Sequence, residues 1–392
     1  MESTQASAGL LARGTNQSGM RARNEKLVLT MLRVHGPMAK SELARATGLS
    51  VQTVSVIMRA LEQEGLLLRG EPVRGRVGQP SVPMRLAPDG AYFAGIKVGR
   101  RSVEMVLMDF VGTILHRQLR THDFPTPDGV LDFVTQRLTG LLEQVPADRR
   151  DRMAGLGVAM PFFLWNWAEH LKVPPEDMMS WRAVDLQQDL SRHFDMPVYL
   201  QNDASAACGA EVLFGPQDGP RDFLYFYLGY FIGGGVVMNG SLVTGHGNAG
   251  ALGPLPVPDG KGGICQLLER TSLSVLEARL KAAGGETDYL WRAPQDWPVD
   301  PAILQDWITM AADGLAHAIV SACAVFDFPA VRLDGWLPRP VLDRLIAATR
   351  DALSRQNLSG LMEPVIVAGG AGPDARALGA ASLPLTARYM IG

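Results

Sequence analysis

The chain has 392 residues, of which 47% are hydrophobic and 20% are charged, and its formal net charge is −3. This composition excludes a disordered or fibrous protein. The length allows two or three domains with sizeable cores. No apolar run approaches the ~20 residues that span a bilayer, and the first twenty residues lack the apolar core of a signal peptide, so no membrane contact is expected. Three cysteines, Cys208, Cys265 and Cys323, form no closely spaced pair, which argues against a disulfide framework and indicates a cytoplasmic protein.

Three short helices are predicted near the N-terminus. They follow residues 1–20, whose Ser, Gly, Thr and Gln content without periodicity predicts a mobile tail. The first helix starts near Asn24 with an apolar stripe at helical spacing. The second, KSELARAT, stops at Gly48, and Ser50 is the expected N-cap of the third, SVQTVSVIMRALEQEG. Two short helices joined by a tight glycine-containing turn predict a helix-turn-helix, although a plain helical hairpin fits the same pattern.

A hairpin wing is predicted after the third helix. A strand-like run, LLL, precedes RGEPVRGRVGQPSVPMRL, which places Arg74 and Arg76 among glycines and prolines. Residues 1–90 hold 12 Lys+Arg and 7 Asp+Glu, and the remainder has a net charge of −8. The basic head suggests an anionic partner, although an ordinary solvated surface would also account for five surplus charges. Because a narrow A·T-rich minor groove concentrates negative potential, the arginine loop suits that groove, and residues 21–86 are predicted to bind DNA.

The third helix is expected to read bases in the major groove of a double-stranded DNA operator. Its apolar residues line one face: Val54, Ile57, Met58 and Leu61. The predicted DNA-binding residues lie on its other faces and on the wing: Ser50, Gln52, Thr53, Ser55, Arg59, Arg74 and Arg76. Since palindromic operators mirror two-fold proteins, a homo-oligomer is expected, either a dimer or a tetramer.

After residue 90, strand-like runs alternate with helical stretches, which predicts an α/β body. One strand-to-helix junction in this body carries polar side chains. In YLQNDASAACGAE, a short strand runs into Asn202-Asp203 and then into a helix of small residues. Asp203 at this point has three possible roles: a catalytic base, a ligand-binding group, or the cap of the following helix.

The chain resembles the ROK family of repressors, open reading frames and sugar kinases. The resemblance covers roughly residues 21–392 and rests on landmarks in the family's order: GRVGQPS, AGIKVG, GLGVAMP, VYLQNDASAACGAE, YLGYFIGGGVVMNGSLVTGHGNAGALG, VRLDG and GAAS. It implies an α/β fold in which an N-terminal winged helix-turn-helix, residues 21–88, precedes a two-lobed actin-like ATPase body, residues 89–392. Within the family, the chain is similar to the xylose- and N-acetylglucosamine-type sugar repressors.

The phosphate-binding elements of the family's kinases are altered here. The resemblance places Lys97 where kinases carry an acidic residue on the first hairpin, followed by Arg100 and Arg101 where they carry small residues. In the second phosphate loop, Tyr230-Phe231 replaces small residues and is expected to obstruct a nucleotide. We therefore expect that the chain binds no ATP, transfers no phosphoryl group and is not an enzyme. The three basic residues are instead candidates for holding an anion.

The zinc signature of the family is also altered. Ala251 and Pro254 stand at its Glu and His positions, and DGKGGICQLLE keeps Cys265 alone of three cysteines. Because one thiolate cannot form a four-ligand site, no zinc or other metal is expected. Cys265 is predicted to be a buried thiol.

The resemblance implies an effector site between the lobes for a sugar, a polyol or a sugar phosphate. Its candidate residues are Asn202, Asp203, Pro161, Gln266 and Glu269, with Asp203 at the position of the kinase base but not catalytic. The aromatic run FFLWNW at 162–167 either packs against a sugar or fills the interface between the lobes. Trp181 is expected to pack in the protein interior.

The sequence thus predicts a DNA-binding transcriptional regulator, a repressor by its resemblance, whose kinase-like body senses a sugar or sugar derivative without phosphorylating it. Two alternatives remain open at this point. One is an active sugar kinase fused to a DNA-binding head, which the acid at Asp203 favours. The other is a DNA-binding dimer whose body has lost its ligand site.

Overall fold

The computed structural model describes residues 17–72, 81–168 and 173–391. They form two compact units. The first runs to Leu86 and also contains Tyr389–Ile391, and the second is Ala87–Arg388. The sequence placed a domain boundary at residue 88 and did not assign the C-terminal residues to the first unit. Within the described ranges, no helix combines the length and apolar character that crossing a membrane requires.

The first unit is a three-helix domain with a two-stranded antiparallel sheet. Its elements are α1 (Gln17–His35), α2 (Lys40–Thr47), α3 (Val51–Gln63), β1 (Leu67–Arg69) and β2 (Met84–Leu86). The helix-turn-helix and the strands that flank a wing are therefore confirmed. Residues 17–20 were predicted as part of a mobile tail, and this was wrong, because α1 already includes them.

Local backbone chemistry sets the turn between α2 and α3. Gly48 adopts φ 72°, a left-handed conformation that glycine tolerates best, and its N–H donates to the Ala44 carbonyl. The Ser50 hydroxyl then accepts from the Thr53 N–H at 3.1 Å and caps α3, as predicted. The predicted apolar face of α3 is buried in the core of the unit: Val54, Ile57, Met58 and Leu61.

The second unit consists of two lobes, each built on a five-stranded mixed sheet. The strands of the first lobe are β3 (Tyr92–Val98), β4 (Ser102–Asp109), β5 (Ile114–Thr121), β6 (Met153–Ala159) and β7 (Val198–Gln201), in the order β5-β4-β3-β6-β7. Its helices are α4 (Pro127–Leu142), α5 (Pro175–Met179) and α6 (Leu186–His193). The hairpin partners β3, β4 and β5 are antiparallel, and β3, β6 and β7 are parallel.

The second lobe repeats this strand pattern. The helix α7 (Asp203–Phe214) precedes β8 (Phe223–Leu228), β9 (Ile232–Met238) and β10 (Ser241–Val243), and the hairpin β11 (Pro256–Pro258) and β12 (Ile264–Gln266) follows. The remaining elements are α8 (Leu268–Thr271), α9 (Leu273–Ala282), α10 (Tyr289–Arg292), α11 (Pro301–Cys323), β13 (Ala330–Gly335), α12 (Arg339–Ser354), β14 (Val365–Ala368) and α13 (Ala375–Tyr389). The main sheet has the order β10-β9-β8-β13-β14, with the hairpin β8–β9 antiparallel and β8, β13 and β14 parallel.

The helix α13 packs on the first lobe through backbone rather than side chains. A Cβ on Gly95 would lie 2.5 Å from the Ala381 nitrogen, and one on Gly157 would overlap the Ala380 carbonyl. A Cβ on Gly379 would overlap the Ala206 carbonyl of α7 in the same way. The small residues of GAAS thus let α13 lie directly against β3, β6 and α7.

Candidate functional site

The solvent-facing side of α3 is the candidate DNA-binding surface. Gln52 and Arg59 are exposed there, and Val51 and Val56 are each 55% exposed. An exposed helix face that mixes hydrogen-bonding groups, a cation and small apolar groups matches what major-groove recognition requires, because the thymine methyl group offers an apolar contact. Val51 and Val56 were not among the predicted DNA-binding residues, although their position opposite the buried face would have identified them.

Three of the predicted DNA-binding residues also have structural partners. Ser50 and Thr53 join their hydroxyl oxygens at 2.8 Å in addition to the capping bond, so both help to fix the start of α3. Ser55 accepts from Lys40 Nζ at 3.2 Å, which brings a cation from α2 to the same surface. Lys40 is thus an additional candidate for contacting phosphate.

A groove of about 460 Å³ runs beside α3, and its lining includes Lys40, Ser55, Arg59 and Arg69. Arg69 forms a forked ion pair with Glu62, with nitrogen–oxygen distances of 2.6 and 3.0 Å, so its guanidinium is already paired. The predicted wing residues Arg74 and Arg76 lie outside the described residues, and their role stays a prediction.

The candidate effector site is a cavity of about 370 Å³ in the second unit, with walls from both lobes. Four of the five predicted effector residues line it: Pro161, Asn202, Asp203 and Gln266. Glu269 is not among the lining residues, because its carboxylate accepts a hydrogen bond from the Gln266 N–H at 2.9 Å and holds the turn into α8. The volume lies in the range of small-molecule sites.

The junction Asn202-Asp203 divides its roles between the two residues. Asn202 is the helix cap, because its Oδ1 accepts from the N–H groups of Ala204 and Ser205 at 3.0 and 3.3 Å. Asp203 is the first residue of α7, and its carboxylate lines the cavity. Asn202 therefore caps the helix, and the carboxylate of Asp203 is available to contact a ligand in the cavity.

Arg376 lines the candidate effector site, although it was not among the residues that the sequence predicted. It lies in the first turn of α13, and its Nη1 is 3.2 Å from Asp203 Oδ2. Its guanidinium also stacks on Tyr227, 5.1 Å from the ring centroid. A cation at a helix N-terminus is electrostatically unfavourable by itself, so a nearby carboxylate was to be expected. The sequence could not identify this carboxylate as Asp203, because Asp203 lies 173 residues before Arg376.

Lys97 is held by the protein's own carboxylates. Its Nζ lies 3.1 Å from Glu104, which also pairs with Arg117 at 2.7 Å, and Arg117 reaches Asp374 at 2.8 Å. Burial lowers the pKa of Lys97, whereas Glu104 beside it acts in the opposite direction. Burial would raise the pKa of Glu104, but the two cations outweigh it and lower that pKa.

The two predicted anion-binding arginines differ in their surroundings. Arg101 pairs with Glu277 at 3.3 Å. Arg100 lines the cavity and stacks on Tyr230, with its guanidinium carbon 5.3 Å from the ring centroid. Arg100 therefore directs a cation toward the space where a ligand would lie, whereas Arg101 already has a carboxylate partner.

Aromatic rings form one wall of the cavity. Tyr230 and Phe231 lie in it, with ring centroids 4.9 Å apart, in the loop where kinases have small residues. Trp167 of the first lobe meets Phe231 of the second at 5.0 Å. The run FFLWNW thus both fills the interface between the lobes and supplies cavity lining through Phe162, Phe163 and Trp167. Trp181 is buried and donates to the Pro125 carbonyl at 2.8 Å, so its packing role is confirmed.

The two altered positions before β11 in the zinc signature carry no metal-binding side chain. Ala251 and Pro254 line the cavity instead. Across the described ranges, no three His, Cys, Asp or Glu side chains are grouped so that they could hold a metal ion. Cys265 lies in β12 and is only half-buried, so its prediction as a buried thiol was wrong. The reason is that the hairpin β11–β12 has two short strands and leaves one face in solvent.

The loop before α13 is fixed by two buried carboxylates. Glu211 Oε2 accepts from the N–H groups of Gly370 and Ala371 at 2.8 and 3.0 Å. Asp334 Oδ2 accepts from the Gly372 N–H at 2.9 Å. These N–H groups, of the kind that cradle phosphates in nucleotide sites, are thus bound to the protein's own carboxylates.

Comparison with known proteins supports both units. Residues 93–267 match the profile of the ROK family, and residues 23–72 match the profile of the MarR family. The chain is 26% identical over 383 residues to the uncharacterised protein y4fQ of Sinorhizobium fredii, a match that covers 94% of this chain and 92% of that protein. It is 25% identical over 243 residues to the xylose repressor of Bacillus subtilis, and that match covers 62% of each protein.

Solved structures show the same architecture. A ROK family transcriptional regulator, described as a homologue of the E. coli MLC protein, superposes with a TM-score of 0.68 at 19% identity and covers 94% of this chain and 97% of its own. A ROK family glucokinase from Streptomyces griseus, in complex with glucose and AMPPNP, has a TM-score of 0.58 at 21% identity and covers 75% and 99%. The predicted fold, a winged helix followed by a two-lobed actin-like body, is thereby confirmed.

Proposed function

We propose that this chain, whose residues 93–267 belong to the ROK family, is a transcriptional repressor that binds double-stranded operator DNA through its first unit and a sugar or sugar derivative through its second. The observation that carries the proposal is the exposed face of α3, with Gln52 and Arg59 on a helix whose opposite face is buried in a winged helix. The names of its relatives support it, since they include xylose repressors and transcriptional regulators.

The second unit is proposed to bind its ligand without phosphorylating it. A kinase needs a free carboxylate to accept the proton of the sugar hydroxyl and needs donors and metal for the ATP phosphates. Here Asp203 is ion-paired with Arg376, Lys97 is paired with Glu104, and Tyr230 and Phe231 occupy the second phosphate loop. We therefore propose that the protein requires neither ATP nor zinc and acts as a homodimer on a palindromic operator.

Replacing Arg59 with alanine is expected to weaken operator binding by about tenfold or more, because the variant loses one cationic contact to a base or phosphate. Fluorescence anisotropy with the DNA upstream of the chain's own gene would measure this at several salt concentrations. If Arg59 contacts phosphate, the slope of log affinity against log salt falls by about one.

The matched control is Arg292→Ala, which removes an exposed arginine of the second unit. It is expected to leave operator affinity unchanged. An Arg59→Ala protein that binds the operator as tightly as the wild type would contradict the assignment of α3 as the recognition helix. Failure of the wild-type chain to bind any upstream DNA specifically at physiological salt would overturn the repressor proposal itself.

Replacing Asp203 with asparagine is expected to reduce sugar affinity by about tenfold or more, since charge-assisted hydrogen bonds to a carboxylate are stronger than neutral ones. Isothermal titration calorimetry with D-xylose and D-glucose, followed by a wider panel of sugars and polyols, would measure it. A panel in which no compound binds the wild-type chain would favour a DNA-binding dimer without a ligand.

The active-kinase alternative is favoured by the position of Asp203 in the cavity. It predicts sugar-dependent conversion of ATP to ADP that Asp203→Asn abolishes. We expect no such conversion by the wild-type chain, and a sustained turnover that requires Asp203 would replace the sensing proposal with the kinase.

A further inference from the structure

A cluster of basic side chains whose charges are unequally balanced lines a cleft that adjoins the cavity. Lys97 and Arg117 share Glu104, Arg101 pairs with Glu277, and Arg376 pairs with Asp203. Arg100 stands in the same cluster, and no ion pair joins it to a carboxylate anywhere in the described part of the chain. One cation is therefore left over at the point where the cluster meets the cavity.

The nitrogens of Arg100 show that this is more than a solvated surface charge. Its Nε and Nη1 are buried and have no hydrogen-bond partner, although a guanidinium offers five donors. Tyr230 provides a ring contact to the face of the guanidinium and a side-chain hydrogen bond, so Nε and Nη1 are the donors that remain unused. Burial lowers the pKa of Arg100, yet a guanidinium in a protein stays charged, so a partly buried cation remains without an ion-pair partner.

Arg376 adds a second unused donor to the same place. It lines both the cavity and the adjoining cleft of about 80 Å³, as Arg100 does, and its Nε is buried without a partner. Its Nη1 is bound to Asp203. Two guanidinium groups with free N–H donors thus border one space, and forked pairing with phosphate or carboxylate oxygens is the interaction that such groups form best.

We propose that the effector is an anionic sugar derivative, whose hydroxyl groups lie at Asn202 and Asp203 and whose phosphate or carboxylate group pairs with Arg100. The inference rests on the proposed function, because it names the ligand class of the same cavity. A neutral sugar would leave Arg100 as unbalanced as it is in the free protein. An anionic one pairs with this partly buried charge on binding, which makes the anionic group the main source of discrimination.

The test compares neutral and anionic forms of one sugar on the full-length protein. Isothermal titration calorimetry at fixed ionic strength would use D-glucose, glucose 6-phosphate and glucuronate, and the corresponding forms of D-xylose, with inorganic phosphate alone as a further probe. We expect one anionic form to bind at least about tenfold more tightly than its parent sugar, in line with a charge-assisted hydrogen bond. The phosphate and carboxylate arms identify which anion the site takes.

Variants of Arg100 assign the effect to this residue. Arg100→Met is expected to abolish the preference for the anionic form, so that both forms bind with similar affinity, and Arg100→Lys is expected to restore part of it. The control Arg292→Met, which changes an exposed arginine, is expected to keep the full preference. Because Arg100→Met removes a partly buried charge that has no ion-pair partner, the melting temperature of its ligand-free form should equal or exceed that of the wild type.

Equal binding of neutral and anionic forms by the wild type would overturn this inference, as would an undiminished anion preference in Arg100→Met. A fall in the ligand-free melting temperature of Arg100→Met would assign Arg100 to supporting Tyr230 instead. Operator binding by the wild-type chain is measured in the same buffers. Its absence would overturn the proposed function, whereas operator binding without an anion preference would overturn this inference alone.

Discussion

Replacing Glu211 with glutamine is expected to lower the free energy of unfolding of the second unit by about 3–5 kcal/mol, the cost of breaking a buried ion pair from one side. Glu211 is fully buried, and its Oε1 lies 2.7 Å from Arg332 Nη1. Its Oε2 accepts from Gly370 and Ala371. Glutamine has only one acceptor oxygen, so its amide NH₂ would face either the guanidinium or the two backbone N–H groups.

Urea unfolding of the wild type and the variant, monitored by circular dichroism, would measure this loss. The matched control is Asp288→Asn, which breaks the exposed pair between Asp288 and Arg292 and should change stability by less than about 1 kcal/mol. A loss below 1 kcal/mol for Glu211→Gln would show that Glu211 and Arg332 do not form this buried pair in solution.

The effect of Glu211 should extend to the cavity, because the loop it holds leads directly into α13. That helix begins at Ala375, and Arg376 in its first turn meets Asp203. The close backbone packing of α13 on Gly95 and Gly157 fixes the other side of the helix. Thus a carboxylate that does not line the cavity contributes to placing a guanidinium that does.

The first unit was predictable because its determinants are local. The apolar face of α3 follows from helical spacing, the cap at Ser50 acts on a residue three positions away, and Gly48 ends α2 through its own backbone conformation. Each of these requires only a short window of sequence. The start of α1 was misplaced because residues 17–20 have helical structure without an apolar stripe to reveal it.

The candidate effector site was predictable only in part. Asn202 and Asp203 were located because a strand-to-helix junction marks them and the family resemblance gives their position. Arg376 was missed because its contact with Asp203 depends on the packing of α13 against α7 and the first lobe, which no local pattern encodes. Glu269 was predicted from the family resemblance alone, and in the structure its carboxylate accepts from the Gln266 N–H and does not line the cavity.

Asp334 is expected to make the stability of the second unit depend on pH between about 4 and 6. Its side chain is buried within β13, and burial raises its pKa to about 6, assisted by the negative charge of Glu211. Hydrogen bonds from the N–H groups of Gly335 and Gly372 and from the Tyr225 hydroxyl act in the opposite direction. The folded state therefore holds a proton at a pH where the unfolded chain, with an aspartate pKa near 3.9, has released it.

The sign follows from proton linkage. Below about pH 4 both states are protonated, and between pH 4 and 6 the folded state binds more protons, so stability falls as the pH rises. A pKa of about 6, roughly two units above the unfolded value, corresponds to about 3 kcal/mol of unfolding free energy lost by pH 7.

Urea unfolding of the wild type and of Asp334→Asn from pH 4 to 7.5 would measure this dependence. Relative to the variant, the wild type should lose that amount of unfolding free energy. In a Glu211→Gln background the loss should be smaller, because one of the causes that raise the pKa is removed. A wild-type-to-variant difference that stays constant across this range would contradict the raised pKa, and an equal loss in both backgrounds would contradict the coupling between the two carboxylates.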